Sequence, residues 1–183
     1  FNRPFEKIAI SFLDDLSKII RKSKDSFIYP DLITFSFWCR KGNINALKLK
    51  YSEKKERFGR GIVFHIAPSN VPLNFGYTFI FGLLAGNANI IKIPSEFFPQ
   101  TKILIEMINF LFEKNKYNRL KKTNSFIKYS QQEAITKYFS SICDARVIWG
   151  GDNTIKKIRK FAIPVRSIDF SFSDRVSVCV IDS

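Results

Sequence analysis

The sequence predicts an α/β fold: a Rossmann-like open parallel sheet with helices on both faces, preceded by N-terminal helices. Three observations carry this. From Gly61 onward, short apolar runs alternate with longer segments of helical spacing. The runs are largely apolar, as strands covered by helices on both faces are expected to be. The connections are short and rich in Gly, Pro and Asn, which suits βαβ units.

Each element has its own signal. Phe5, Ile8, Phe12, Leu16, Ile19 and Ile20 recur at helical intervals and predict a helix over residues 4–22. Pro30 precedes a second helix over 31–40, with Lys41-Gly42-Asn43 as its stop. Residues 43–60 are polar and basic and read as a short extended piece and a loop. Gly61 to Ala67 is a buried strand, Pro68 to Pro72 a turn, and Leu73 to Leu84 a buried helix. Gly86-Asn87 ends that helix in the left-handed turn glycine permits. Strands follow over 88–93, 125–129 and 145–149, with helices over 101–114, 131–142 and 153–161 between and after them. Residues 167–170 and 176–181 read as further strands.

Composition narrows the function classes. The chain has 183 residues, 45% of them apolar, which excludes wholesale disorder. Lys and Arg number 30 against 16 Asp and Glu, giving a net charge of +14. That charge fits either a solvated basic surface or a polyanionic partner, such as a nucleotide cofactor or an acidic carrier. No RNA-binding signature accompanies it, so nucleic acid is not an expected partner. Cys39, Cys143 and Cys179 form no CxxC pair, and His65 is the single histidine. A disulfide framework and a Cys/His zinc site are therefore not expected, and a reducing cytoplasm is the expected compartment. No apolar run is long enough to span a bilayer. The chain opens on Phe1 and reads as a piece of a longer polypeptide.

In a doubly wound sheet, ligands sit at the carboxyl ends of the strands. Those ends carry Pro68 to Asn70, Pro94 to Glu96, Tyr129-Ser130 and Gly150 to Asp152, so four turns should converge on one crevice. Gly150-Gly151 opens a helix, where glycines and free N–H groups admit an anion, although such a turn is also a common tight connection. Asp152 suits a helix cap. Lys92 ends an apolar strand, either snorkelling to water or holding a polar ligand. Ser95 suits a helix cap, and Glu96 a cap or a ribose hydroxyl. Asn70 suits a cap or an oxyanion donor. His65 reads as a satisfied core residue, Trp38 and Trp149 as core aromatics, and all three cysteines as structural, with Cys179 inside the last strand.

Three stretches together resemble a known family. They are Gly61-Ile62-Val63-Phe64-His65-Ile66-Ala67-Pro68-Ser69-Asn70-Val71-Pro72, Leu83 to Lys92, and Asp144-Ala145-Arg146-Val147-Ile148-Trp149-Gly150-Gly151-Asp152. In these motifs the chain resembles acyl-CoA reductases of the LuxC type, fatty-acid reductases within the aldehyde dehydrogenase superfamily. The resemblance runs from about Pro30 to Ser183. It implies an aldehyde dehydrogenase-like fold, with residues 1–60 as an N-terminal helical and extended segment and 61–183 as a dinucleotide-binding domain. It also implies reduction of a fatty acyl-CoA or other acyl thioester to an aldehyde, with NADPH (or NADH) as cofactor and a cysteine thioester intermediate.

The resemblance assigns roles residue by residue. Asn70 matches the oxyanion asparagine. Ala67 and Pro68 would line the cofactor, and Lys92 matches a lysine on the adenosine ribose or its 2′-phosphate. Ser95 and Glu96 fall where further ribose contacts come, with Ile93 intervening before Pro94. Gly150 and Gly151 match the turn at the pyrophosphate or nicotinamide, and Ser130 lies in a turn that departs from the family's glycine-bearing one. None of the three cysteines matches the nucleophile, which the resemblance implies lies in a domain after residue 183, so this chain alone is expected to be inactive. The family also implies a homo-oligomer at full length and allows an acyl-transfer or acyl-carrier partner. The alternative is a non-catalytic nucleotide-binding or scaffold protein whose basic surface holds an acidic partner.

Overall fold

The five strands from β1 (Ile62–Ile66) to β5 (Ile168–Phe172) are all parallel, in the order β3-β2-β1-β4-β5. β2 is Ala88–Lys92, β3 Asn124–Ile127 and β4 Ala145–Trp149. This computed structural model describes residues 2–51, 56–96, 98–130, 132–173 and 179. Helices α1 (Lys7–Lys22), α2 (Asp25–Ile28), α3 (Pro30–Trp38) and α4 (Lys41–Lys50) precede the sheet. Then come α5 (Asn74–Leu84), α6 (Pro99–Phe112), α7 (Asn118–Thr123), α8 (Glu133–Ile142) and α9 (Asp152–Arg159).

The pleat divides the strand residues between two cores. On one face, Ile91 joins α1, α3, α5 and α6 in a large cluster built around Phe12, Phe35, Phe75 and Phe79. On the other, Phe64, Ile66 and Ile148 meet Cys143 and α9 in a much smaller one. α1 buries Phe12, Leu16 and Ile20 as its period predicts, and also Leu13, which the predicted stripe omitted, while Ile8 and Ile19 are only partly buried.

One buried polar string runs beneath α5. Asn89 Nδ2 donates to Asn124 Oδ1 at 2.7 Å and to Asn87 O at 3.1 Å, so its Oδ1 is an acceptor. His65 Nε2–H therefore donates to Asn89 Oδ1 at 2.9 Å, and His65 Nδ1 accepts from Thr78 Oγ1 at 2.7 Å. The sequence expectation of a satisfied core histidine holds. Helix α5 comes this close because it carries Gly82, where an ideal Cβ would lie 2.0 Å from Asn89 Oδ1 and 2.9 Å from His65 Nε2. Gly82→Ala gains helix propensity worth about 1 kcal/mol. The clash should outweigh it, for a net loss of about 1–3 kcal/mol in urea unfolding.

Several expectations need correction. Residues 43–60 are not wholly extended and loop, because α4 occupies Lys41–Lys50. Lys41-Gly42-Asn43 starts that helix rather than stopping the previous one, since Ile44 is buried and Leu47 packs against the large core. The helical segment over 115–123 was not anticipated either; it buries Tyr117 and Leu120. Asp152 is not the cap of α9: Gly151 holds that position and Asp152 begins the helix. Neither Ser95 nor Asn70 caps a helix, since α6 starts after Phe98 and α5 after Leu73. Trp38 is partly exposed, edge-on to Tyr77 and Phe81, rather than a core residue. Cys179 is exposed and outside any regular element, and the rest of the strand expected over 176–181 lies outside the described residues. Gly86 does take the left-handed turn after α5, with φ of 80°.

Candidate functional site

In this strand order the chain leaves β1 on one side and returns through β4 on the other, so the helices diverge between their carboxyl ends. A cleft of about 720 Å³ lies there. Its floor is Ile66 and Ala67 from β1 and its exit, with Trp149 from β4. Pro68, Asn70 and Asn74 form one wall; Lys92, Pro94 and Ser95 close the side toward β2. Gly150, Gly151 and Thr154 form the opposite wall at the start of α9, and Thr136 reaches in from α8.

Seven of the nine residues singled out from the sequence thus line one cleft: Ala67, Pro68, Asn70, Lys92, Ser95, Gly150 and Gly151. Glu96 and Ser130 do not; both are exposed outside its lining. The turn after β3 does not line the cleft, but its Tyr129 ring lies under Lys92 Nζ at 4.4 Å. Sequence reasoning also missed Asn74, Thr136, Thr154 and Lys157. Thr154 was the most readable of these, because the first turn of a helix faces the strand end it follows.

The chemistry of the lining is specific. Lys92 is half-buried, and desolvation lowers its pKa. No carboxylate pairs with it among the described residues. Gly150 has φ of 153°, which a side chain would strain, and a Cβ there would meet Thr154 at 3.3 Å. Gly151, the cap of α9, leaves the first N–H groups of that helix without a side-chain acceptor. Two buried polar atoms of the lining, Asn74 Oδ1 and Trp149 Nε1, have no partner among the described residues. Trp149 is held flat against Phe172, with ring centroids 4.1 Å apart, so it lines the cleft and is not a core aromatic. Lys157 lines the rim and pairs with Glu133 of α8 at 3.0 Å.

No poised nucleophile sits here. Cys39 and Cys143 are buried at helix ends, and burial pushes both thiols up, Cys143 to about 11. Among the described residues no cluster of His, Cys, Asp and Glu could hold a metal ion. No helix among them is long and apolar enough to cross a membrane.

A family model described as acyl-CoA reductase (LuxC) matches residues 44–183. The chain belongs to the acyl-CoA reductase (LuxC) family. It has the aldehyde dehydrogenase fold, as solved structures bear out. A glyceraldehyde-3-phosphate dehydrogenase from Methanocaldococcus jannaschii, complexed with NADP, superposes with a TM-score of 0.67 at 17% identity. That match covers 92% of this chain and 41% of the archaeal one. An aldehyde dehydrogenase from Bartonella henselae gives 0.65 at 20% identity, over 89% of this chain and 38% of that one. Proline utilization A from Bradyrhizobium japonicum, as a mutant, gives 0.65 at 16% identity, over 91% and 20%. This LuxC-family chain therefore spans between a fifth and about two fifths of the length of these structural relatives. No curated protein matches it.

The residues of the cleft fit a dinucleotide. They offer a cation, a glycine turn that admits close approach, helix N–H donors and two unpartnered polar atoms.

Proposed function

We propose that this chain is the cofactor-binding region of a reductase that uses NADPH to convert a fatty acyl thioester to an aldehyde. The observation that carries the reading is the cleft at the β1/β4 crossover, in a chain matched by the acyl-CoA reductase family over 44–183. The cofactor supplies hydride when bound. Ala67, Pro68, Gly150 and Gly151 let it approach the backbone, and the start of α9 offers N–H donors to its phosphates. Lys92, with no ion-pair carboxylate among the described residues, is left for a ribose hydroxyl or a 2′-phosphate, and in the second case it favours NADPH over NADH. Asn70, exposed on the turn after β1, donates its amide N–H to the oxygen that gains charge as the acyl carbon is attacked. Cys39 and Cys143 are buried and their thiols pushed up, and none of the three cysteines matches the family's nucleophile, so this reading places the thiolate in a part of the longer protein that this chain does not span. The +14 charge suits thioester donors with acidic handles, CoA or an acidic carrier protein.

Lys92→Ala in the full-length protein tests the reading. Loss of a charge-assisted contact should weaken NADPH binding by about 1.5–3 kcal/mol and NADH binding by less. Titration calorimetry with both cofactors decides it. Unchanged NADPH affinity would reduce Lys92 to a snorkelling strand residue, and equal losses for both cofactors would place it on a group the two share and remove its preference for NADPH.

A further inference from the structure

Lys92 is the last residue of β2 and turns toward the α8/α9 face of the sheet, half-buried and without an ion-pair carboxylate among the described residues. A charge so placed needs something to hold it. Tyr129, two residues beyond the end of β3, puts its ring under the ammonium with Nζ 4.4 Å from the centroid. The ring is itself fixed: Tyr129 is 8% exposed, and its hydroxyl lies 2.9 Å from Thr136 Oγ1 on α8, a residue of the cleft lining. The other charged groups of the lining, Glu133 and Lys157, pair with each other across α8 and α9.

We propose that Tyr129 is a positioning residue: its ring face, pinned to α8 through Thr136, holds the Lys92 ammonium in the cleft for the cofactor. The inference rests on the reading of Lys92 as a cofactor contact. The physical reason for an aromatic rather than a carboxylate is charge. An ion pair would neutralise the ammonium and compete with an anionic ligand. A ring face attracts the cation through its quadrupole and leaves the full charge to be read by a phosphate or a hydroxyl. Burial alone disfavours the charged form of Lys92, and the ring opposes that tendency without using an acid.

A double-mutant cycle in the full-length protein, read as NADPH affinity, tests this. Lys92→Met should weaken binding, and Tyr129→Leu should weaken it about three- to thirtyfold. Tyr129→Phe, which keeps the ring, should stay within about threefold of the parent. In the Lys92→Met background, Tyr129→Leu should add less than about twofold, because the residue it serves is gone. If Tyr129→Leu does not fold, Tyr129→Met fills more of the ring's volume and enters the same cycle. A Tyr129 effect of equal size in both backgrounds, or none in either, overturns the positioning role and leaves the Lys92 reading standing. An unchanged affinity for Lys92→Met overturns that reading, and this inference with it.

Discussion

Asp169→Ala is expected to destabilise the fold by about 3–5 kcal/mol, the largest effect of any single change considered for this chain. Arg146 lies inside β4 and is 1% exposed. Asp169, its register partner on β5, accepts from Arg146 Nε and Nη2 at 2.7 Å each, a bidentate fork. Nη1 donates to Ser140 Oγ at 2.9 Å and to Phe161 O at 3.0 Å. Four of the five guanidinium N–H groups are thus engaged, and the only close carboxylate partner among the described residues is Asp169. Removing Asp169 leaves a buried cation without its counter-charge, which a shifted pKa cannot relieve, since arginine does not deprotonate in proteins. Arg146→Met should cost less than Asp169→Ala, because Asp169 reaches solvent and Arg159 lies 3.9 Å from it. The double variant Arg146→Met, Asp169→Leu should recover much of the loss. Urea midpoints for the three proteins order these effects. An Asp169→Ala protein within 1 kcal/mol of the parent would mean that the pair closes no essential contact.

Acidification should remove a second large share of stability, through His65. Burial pushes its pKa from 6.5 down to about 4, opposed by the bond to Asn89. The sign follows from proton binding. Above pH 6.5 neither state is protonated and the contribution is complete. Between 6.5 and about 4 the unfolded chain takes a proton that the native state refuses, so stability falls as the pH falls, by about 3 kcal/mol in all. Below about 4 this residue adds no further loss. Asp14 and Asp15, whose pKa values are lowered from 3.8, protonate beneath that window, so it belongs to the histidine. Urea midpoints at pH 7, 5.5 and 4 should slope steeply for the parent and remain nearly flat for His65→Gln. Parallel slopes would show that the acid response arises elsewhere.

Apart from the helical segment over 115–123, the alternation from Gly61 to α9 was legible in the sequence because β1, β2 and β4 lie in largely apolar runs closed by Gly or Pro. Such runs have few other solutions when helical segments separate them. α4 was not legible. Its segment holds Gly42, Asn43 and Asn45, poor helix formers, and only Ile44 and Leu47 turn inward, so docking against the large core makes it a helix. The cap assignments at Asn70 and Ser95 failed for a related reason. The turns after β1 and β2 run on to Leu73 and Phe98 before a helix begins, and prolines at 72 and 99 do not reveal that length. In the cleft, Lys92 could be singled out but not its companion. Tyr129 meets it through the turn after a neighbouring strand, a relation between side chains that no linear spacing encodes.

The unequal cores on the two faces of the sheet give the cleft a mechanical character. One bank of it, carried by β1, β2 and α5, is braced by α1, α3 and α6 stacked behind the sheet. The other, carried by β4, β5 and α9, has a smaller apolar layer beneath it, and Ile168, Phe170 and Phe172 remain 38–47% exposed. A long molecule lying from Lys92 to Gly151 ties the lightly built bank to the braced one, so its grip stiffens the side that has least support of its own.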